Sequence, residues 1–422
     1  MTQLILALSG SREASLPPAT LRRMVGPGLM VAVGYMDPGN WATDIAGGAG
    51  FGYRLLAVVM FASLLAMGFQ VLVARLALAT GEDLASLTRQ HLPAPVAKAA
   101  WLAGEAAILA TALAELIGGG IALNLLLGLP LPAGVVLTAI GTISVLSVSR
   151  LRSGAHEQLV GALVAVVALA FLLLLMKIGP DWGAAAEGVA HTGSALADPK
   201  GLMIALGILG ATLMPHNLYL HGSEIARRAQ GLGVQARVDA LRVTRNDTLV
   251  SLTLAMAING AIMIVAAASL TGAADVSSLG GAYAAMREQL GPLAAIAFGV
   301  ALYAAGQSSA ITGVMAGSAL TRGFRGETGS ERLRGIVTRL AAVTIALAFM
   351  AWRGVGDPDG LLVLSQVVLG LALPFALVPL AWLACRSELM GRLALGGVAK
   401  VTLVSATTLI VLLDLYLVGA SF

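Results

Sequence analysis

The chain has 422 residues, 58% hydrophobic and 11% charged, with a formal net charge of +4 and a mean hydropathy of +0.89. A soluble domain carries roughly 25% charged residues, so composition excludes the two or three soluble domains that length alone suggests. The single cysteine, Cys385, excludes a disulfide framework and any multi-cysteine metal cluster, and the positive charges sit in short loops between apolar runs, which argues against a nucleic-acid surface.

Residues 1–20 hold a short apolar stretch with no basic lead-in, a poor signal peptide. They read as a cytoplasmic tail. From residue 21 to 422 the chain reads as one transmembrane domain, because apolar runs long enough to cross a core of about 30 Å recur to the end. Eleven segments are expected. The first five cover about 24–50, 53–79, 98–127, 131–149 and 156–178. A polar loop precedes the sixth, 201–226, and a basic linker precedes the seventh, 247–271. The remaining four cover 291–321, 334–352, 360–384 and 397–419.

With the N-terminus inside, all but five of the 26 Lys and Arg residues fall on the cytoplasmic side. The exceptions are Arg54, Lys177, Lys200, Arg287 and Arg353. This bias satisfies the positive-inside rule and, with an odd helix count, puts the C-terminus outside. Short loops and the lack of a targeting sequence point to a bacterial inner membrane.

Two segments carry an unusual interruption. The first contains Asp37-Pro38-Gly39-Asn40 and the sixth Met214-Pro215-His216-Asn217, each an x-Pro-x-Asn break in mid-segment. Five segments separate their starts, and an odd number of spans per repeat inverts the second copy. Proline-interrupted segments at equivalent places in two inverted halves mark the midplane site of secondary transporters. The expected architecture is therefore an all-α, five-plus-five inverted repeat with broken helices 1 and 6, repeat one at about 24–178, repeat two at about 201–384, and an extra helix at about 397–419.

Proline removes a backbone donor and frees a carbonyl, which in lipid must find a partner or line a cavity. Carbonyls near Asp37–Asn40 and Ala211–Met214 thus join a carboxylate, an amide and a thioether. An intramembrane aspartate is costly unless paired, and a bound cation is a natural partner. Oxygens alone suit magnesium or calcium; the soft sulfur of Met214 favours manganese, ferrous iron, cobalt or cadmium. Taken singly, a proline kink or a buried methionine is usually packing. Only the joint occurrence in register makes a site.

GYMDPGNWATDIAGG in the first segment and GATLMPHNLYLHG in the sixth resemble the signature segments of the Nramp family of metal-ion transporters, as do GEAAILATALAELIGG in the third and LLVLSQVVLGLALPFALVPL in the tenth. The resemblance runs from about Gly26 to Leu417. It implies the fold of the five-plus-five amino-acid and sodium symporters, divalent metal uptake coupled to protons, and no cofactor. It implies metal ligands at Asp37, Asn40, Met214 and the carbonyl of Ala211, with Gln366 approaching the ion. Relatives carrying magnesium or aluminium ions lack the methionine, so Met214 supports a transition metal, manganese first.

A proton route would draw on Asp37, His216, Glu115, Glu105, Arg334 and Arg339. Asp44 and His221 are further intramembrane ionisable residues. Glu105 and Glu115 lie about 15 Å apart along one helix, which suits a relay, while Glu115 with Arg334 or Arg339 equally suits a buried ion pair. Two positions depart from the family pattern: Ala112 replaces an aspartate and Ala46 a glutamate. Both changes bear on proton coupling and leave the metal ligands intact, so transport with weak or no coupling is one alternative. A sodium-coupled organic-solute symporter of the same fold is another, and the bulky Met214 and anionic Asp37 count against it. An intramembrane hydrolase is disfavoured because His216 and His221, five residues apart, do not share a helical face as an HExxH pair does. A passive channel is disfavoured by the inverted repeat. The expected partners are the metal ion, protons and lipid, with the chain acting as a monomer.

Overall fold

The computed structural model describes residues 22–148, 155–271, 278–326, 330–353 and 358–421. The expected tail, 1–20, lies outside them, as do Arg12, Arg150 and Arg152 of the orientation argument. The described residues form helices and no strand.

The first segment is two half-helices, α1 (Pro27–Gly34) and α2 (Pro38–Phe51), and the second is α3 (Leu56–Thr80). A short α4 (Leu84–His91) leads to α5 (Ala94–Leu127), α6 (Leu131–Val148) and α7 (Ala155–Ile178), the third to fifth segments. Two connecting helices, α8 (Trp182–Ala190) and α9 (Thr192–Leu196), precede the sixth segment, again in halves: α10 (Pro199–Thr212) and α11 (Pro215–Arg228). Then come α12 (Val234–Leu270), a connecting α13 (Leu279–Leu290), α14 (Pro292–Arg325) and α15 (Glu331–Arg353). The tenth segment is α16 (Pro358–Ala372) with α17 (Pro374–Cys385), followed by a single turn, α18 (Ser387–Met390), and by α19 (Gly397–Ser421).

Among the described residues, nine helices are long and apolar enough to cross a bilayer, and Leu131–Ser144 is a shorter apolar run. One of the nine, Pro38–Thr80, joins α2 to α3, so the eleven expected segments are all present. Three departures have local causes. The seventh segment starts at Val234 rather than near 247, because the basic linker is itself helical and extends α12. The tenth segment is not continuous. Pro374 cannot donate to the Gly370 carbonyl, and Leu373 N bridges the gap by donating to both Leu369 O and Gly370 O at 3.1 and 3.0 Å. Short helices fill several connections, and two of them start on a side-chain cap: Asp83 accepts from Ser86 N at 2.8 Å and Asp181 from Ala184 N at 3.0 Å.

Helices α5 and α14 pack together at the centre, α12 covers α1, α2 and α3, and α19 is the least buried of the spanning helices. Small residues allow such close approach where no water drives helices together. A Cβ at Gly134 of α6, for example, would stand 2.7 Å from the Gly120 carbonyl of α5. The outward faces carry Leu64, Leu172, Met176 and Leu293, all exposed, as a lipid-facing surface requires.

Candidate metal site

Each break is built the same way. Pro38 and Pro215 have no N–H, so the carbonyls four residues earlier, Gly34 and Ala211, lose their helical partners. The residue before each proline is pushed to extended backbone and becomes the N-cap of the second half-helix: Asp37 at φ −68°, ψ 164° and Met214 at φ −86°, ψ 117°. In both, the asparagine three residues on reaches back to that cap. Asn40 Nδ2 donates to Asp37 Oδ1 at 2.8 Å, beside Asn40 N at 2.9 Å. Asn217 Nδ2 donates to Met214 Sδ at 3.5 Å.

The breaks meet. Thr212 Oγ1, at the end of α10, donates to Asn40 Oδ1 at 3.5 Å and to Ile208 O at 2.7 Å. A Cβ at Gly34 would collide with the Asn217 amide, which brings the end of α1 against the start of α11. Gln366 of α16 enters from the side, its amide occupying the space a Cβ on Gly39 would need. Asp37, Asn40, Ala211, Met214 and Gln366 are all buried, and Asp37 Oδ2 and Gln366 Oε1 have no hydrogen-bond partner. A buried carboxylate oxygen left alone in a membrane interior is costly and calls for a cation or a proton. Among the described residues no three His, Cys, Asp or Glu side chains cluster as metal ligands, so any cation here would rely on one carboxylate plus neutral donors.

At the first break two of the three carbonyls before the proline are taken, which leaves that of Gly34. Asn259 Nδ2 of α12 donates to Tyr35 O at 2.7 Å, and Trp41 Nε1 donates to Met36 O at 3.0 Å. Trp41 is fully buried, edge-on to Phe171 of α7 and Phe298 of α14 at 4.9 and 5.4 Å between ring centroids. That fixes the start of α2 against two other helices.

Of the residues expected on a proton route, Asp37 is in this centre, His216 follows Pro215 at the second break, and the glutamates and arginines lie around it. Glu115 pairs with Arg339 at 2.6 Å, both buried, and accepts from Ser309 Oγ at 2.7 Å. Arg339 also donates to Ala310 O at 2.8 Å and to Ala112 O at 3.3 Å. Glu105 pairs with Arg334 at 2.6 Å, and Arg334 also binds Thr321. Each glutamate thus has its own arginine, the ion-pair arrangement. His216 Nδ1 lies 3.4 Å from Thr111 Oγ1, and His221 Nδ1 lies 2.9 Å from Gln70 Oε1, whose amide donates to the Tyr35 hydroxyl at 2.8 Å. Asp44, seven residues after Asp37 on α2, is buried with Oδ2 unpartnered.

Sequence reading missed Thr212, Asn217 and Asn259. Asn217 carried a signal, since it occupies the place in its break that Asn40 occupies in the other. Thr212 and Asn259 carried none, because their partners lie 172 and 224 residues away.

The chain is similar to known proteins over nearly its whole length. A family model described as natural resistance-associated macrophage protein-like, Nramp, matches residues 28–420. A divalent metal cation transporter, MntH 1, of Pseudomonas aeruginosa is 44% identical over 379 residues, 89% of this chain and 86% of that protein. MntH of Brucella suis is 44% identical over 398 residues, 93% and 87% of the two chains. The crystal structure of the Eremococcus coleocola manganese transporter in complex with an aromatic bis-isothiourea substituted compound superposes with a TM-score of 0.86 at 33% identity, covering 96% of this chain and 88% of that one. MhsT in complex with L-phenylalanine, at 19% identity and a TM-score of 0.61, shares the fold. With a family model spanning nearly its full length and relatives at this identity, the chain belongs to the Nramp family of membrane transporters.

Proposed function

We propose that this protein imports divalent transition-metal ions, manganese first and iron, cadmium or cobalt with it, across a bacterial inner membrane by alternating access, in symport with protons. The carrying observation is the unpartnered Oδ2 of Asp37 at a break that also presents Asn40, Met214 and the Ala211 carbonyl orphaned by Pro215. An ion there exchanges its water for one carboxylate oxygen, an amide oxygen, a carbonyl oxygen and a sulfur, with Gln366 adding a further oxygen. The relatives named as manganese and divalent-cation transporters support that substrate class, and the thioether weights it away from magnesium and calcium.

Alternating access follows from the construction. Both half-helix pairs hinge at a proline, and the ligands lie on the hinge itself, so tilting either half changes which side of the membrane reaches the ion without taking the site apart. Because one chain supplies both breaks, a monomer suffices. The basic-residue bias supports a cytoplasmic N-terminus and an external C-terminus. Glu105 and Glu115 are each neutralised by an arginine, and alanine stands at position 112 beside the Glu115–Arg339 pair, so the proton travels by other groups.

The test is uptake into proteoliposomes carrying an internal metal-sensitive dye. Manganese and cadmium should enter and calcium should not, and an inward proton gradient should accelerate entry. Manganese entry no faster than into protein-free vesicles would overturn the reading.

A further inference from the structure

The glutamates and histidines expected to move protons all have partners: Glu105 with Arg334, Glu115 with Arg339 and Ser309, His216 with Thr111, His221 with Gln70. Asp414, on the last helix, shares an unpartnered oxygen with Asp37 and Asp44 but lies away from the breaks. It is 8% exposed, and its Oδ2 is buried without a hydrogen-bond partner. It lies on the one buried stripe of α19, Leu403, Thr407, Ile410 and Asp414, whose i, i+4, i+7, i+11 spacing is a single helical face. The carboxylate is therefore turned into the protein and away from lipid. Gly370 of α16 is its neighbour: a Cβ there would stand 3.7 Å from Asp414 Oδ1, an ordinary contact.

The helices packed most closely on α19 are α10, α16 and α17. Their ionisable residues are Lys200, Asp359 and Cys385, and α19 itself adds Lys400 and Tyr416. Lys200, Asp359 and Cys385 sit at helix ends, Lys400 is in the first turn of α19, and Tyr416 is exposed. Among the described residues no cation is paired with Asp414. An ionised carboxylate so placed is costly. A metal ion would demand several more donors than a lone carboxylate offers, whereas a proton needs a single oxygen. Gln366 precedes Gly370 by four residues, so their positions on α16 are about 5–6 Å apart. Charge at Asp414 is thus within electrostatic reach of an ion at the breaks without Asp414 being a ligand to it.

We propose that Asp414 is a proton-carrying carboxylate of the transport cycle, an inference that rests on the metal-transport reading above. Its oxygen takes a proton from water in one state of the cycle, forming one O–H bond. That bond breaks in the opposite state, the proton passing to water on the other side and the carboxylate returning to its starting form. A doubly charged ion arriving at the breaks repels the bound proton and favours its departure, which links the two movements.

The experiment compares wild type, Asp414→Asn and Asp414→Glu in two measurements on full-length protein. The first is manganese uptake into proteoliposomes with and without an inward proton gradient. The second is pH-difference infrared spectroscopy of the carbonyl stretch of protonated carboxyl groups. Expected are loss of the gradient stimulation and loss of one carboxyl band in Asp414→Asn, with both restored in Asp414→Glu. Retention of either the stimulation or the band in Asp414→Asn overturns the proposal, the first because Asp414 is then no carrier, the second because it then holds no proton. If wild-type manganese uptake ignores the gradient, the proton-linked half of the transport reading falls and takes the carrier role with it. If wild type responds and Asp414→Asn responds equally, only the role of Asp414 falls.

Discussion

At the first break the chain offers a carboxylate and an amide, and the carbonyls of Tyr35 and Met36 are already taken by Asn259 and Trp41. At the second it offers a thioether, and among the described residues no side chain donates to the carbonyls of Ala211, Thr212 or Leu213. The backbone construction is shared: proline, extended cap, asparagine reaching back. What differs is which atoms are left over. The first half contributes charge through a rigidly held side chain, with only the Gly34 carbonyl left over; the second contributes softness, with three carbonyls that no side chain occupies. Duplication of one backbone device, followed by different treatment of its loose ends, turns two similar kinks into a site with one hard side and one soft side.

Four substitutions break or sharpen that contrast. Removing the charge of the hard side, Asp37→Asn, should lower manganese and cadmium affinity alike by more than about 100-fold, since even outer-shell changes at metal sites cost 10–100-fold; isothermal titration with each metal would read it. Asn259→Ala uncaps the Tyr35 carbonyl inside the membrane. Leaving such a group unsatisfied costs about 1–3 kcal/mol, so thermal unfolding in detergent should shift down, and an unchanged midpoint would contradict the capping role. On the soft side, Met214→Ala should cost cadmium about 1.4 kcal/mol, tenfold in affinity, and leave manganese less affected. Equal losses for the two metals would remove the sulfur from the selectivity argument. Thr212→Val breaks the bond between the halves and should cost about 1 kcal/mol of stability, the net worth of one hydrogen bond, with metal preference unchanged by competition uptake.

Much of the contrast was legible in the sequence. All eleven segments followed from hydropathy, and both breaks from proline with asparagine two residues on. Pro215 even singles out Ala211, because the carbonyl a proline orphans is always four residues back. What stayed hidden depends on distant registry. Nothing local in Asn259 announces that it will cap Tyr35, and nothing in Thr212 announces Asn40. The break at Pro374 was visible as a residue but not as a consequence, since a proline inside a long apolar run reads as a kink or a stop with equal ease. Asp414 was overlooked because a single acid in an otherwise apolar last helix resembles a residue near a membrane edge. Only the burial of its stripe sets it apart.

That Asp37 is the sole carboxylate among the five ligands proposed has an electrical consequence. A doubly charged ion seated there leaves the loaded centre with one positive charge in excess, lodged where the dielectric is low. Such a carrier does not move silently through a polarised membrane. Each net charge crossing an inside-negative potential gains about 2.3 kcal/mol per 100 mV, so voltage becomes a driving force for accumulation in its own right, and depolarising the vesicle should slow filling even at constant pH.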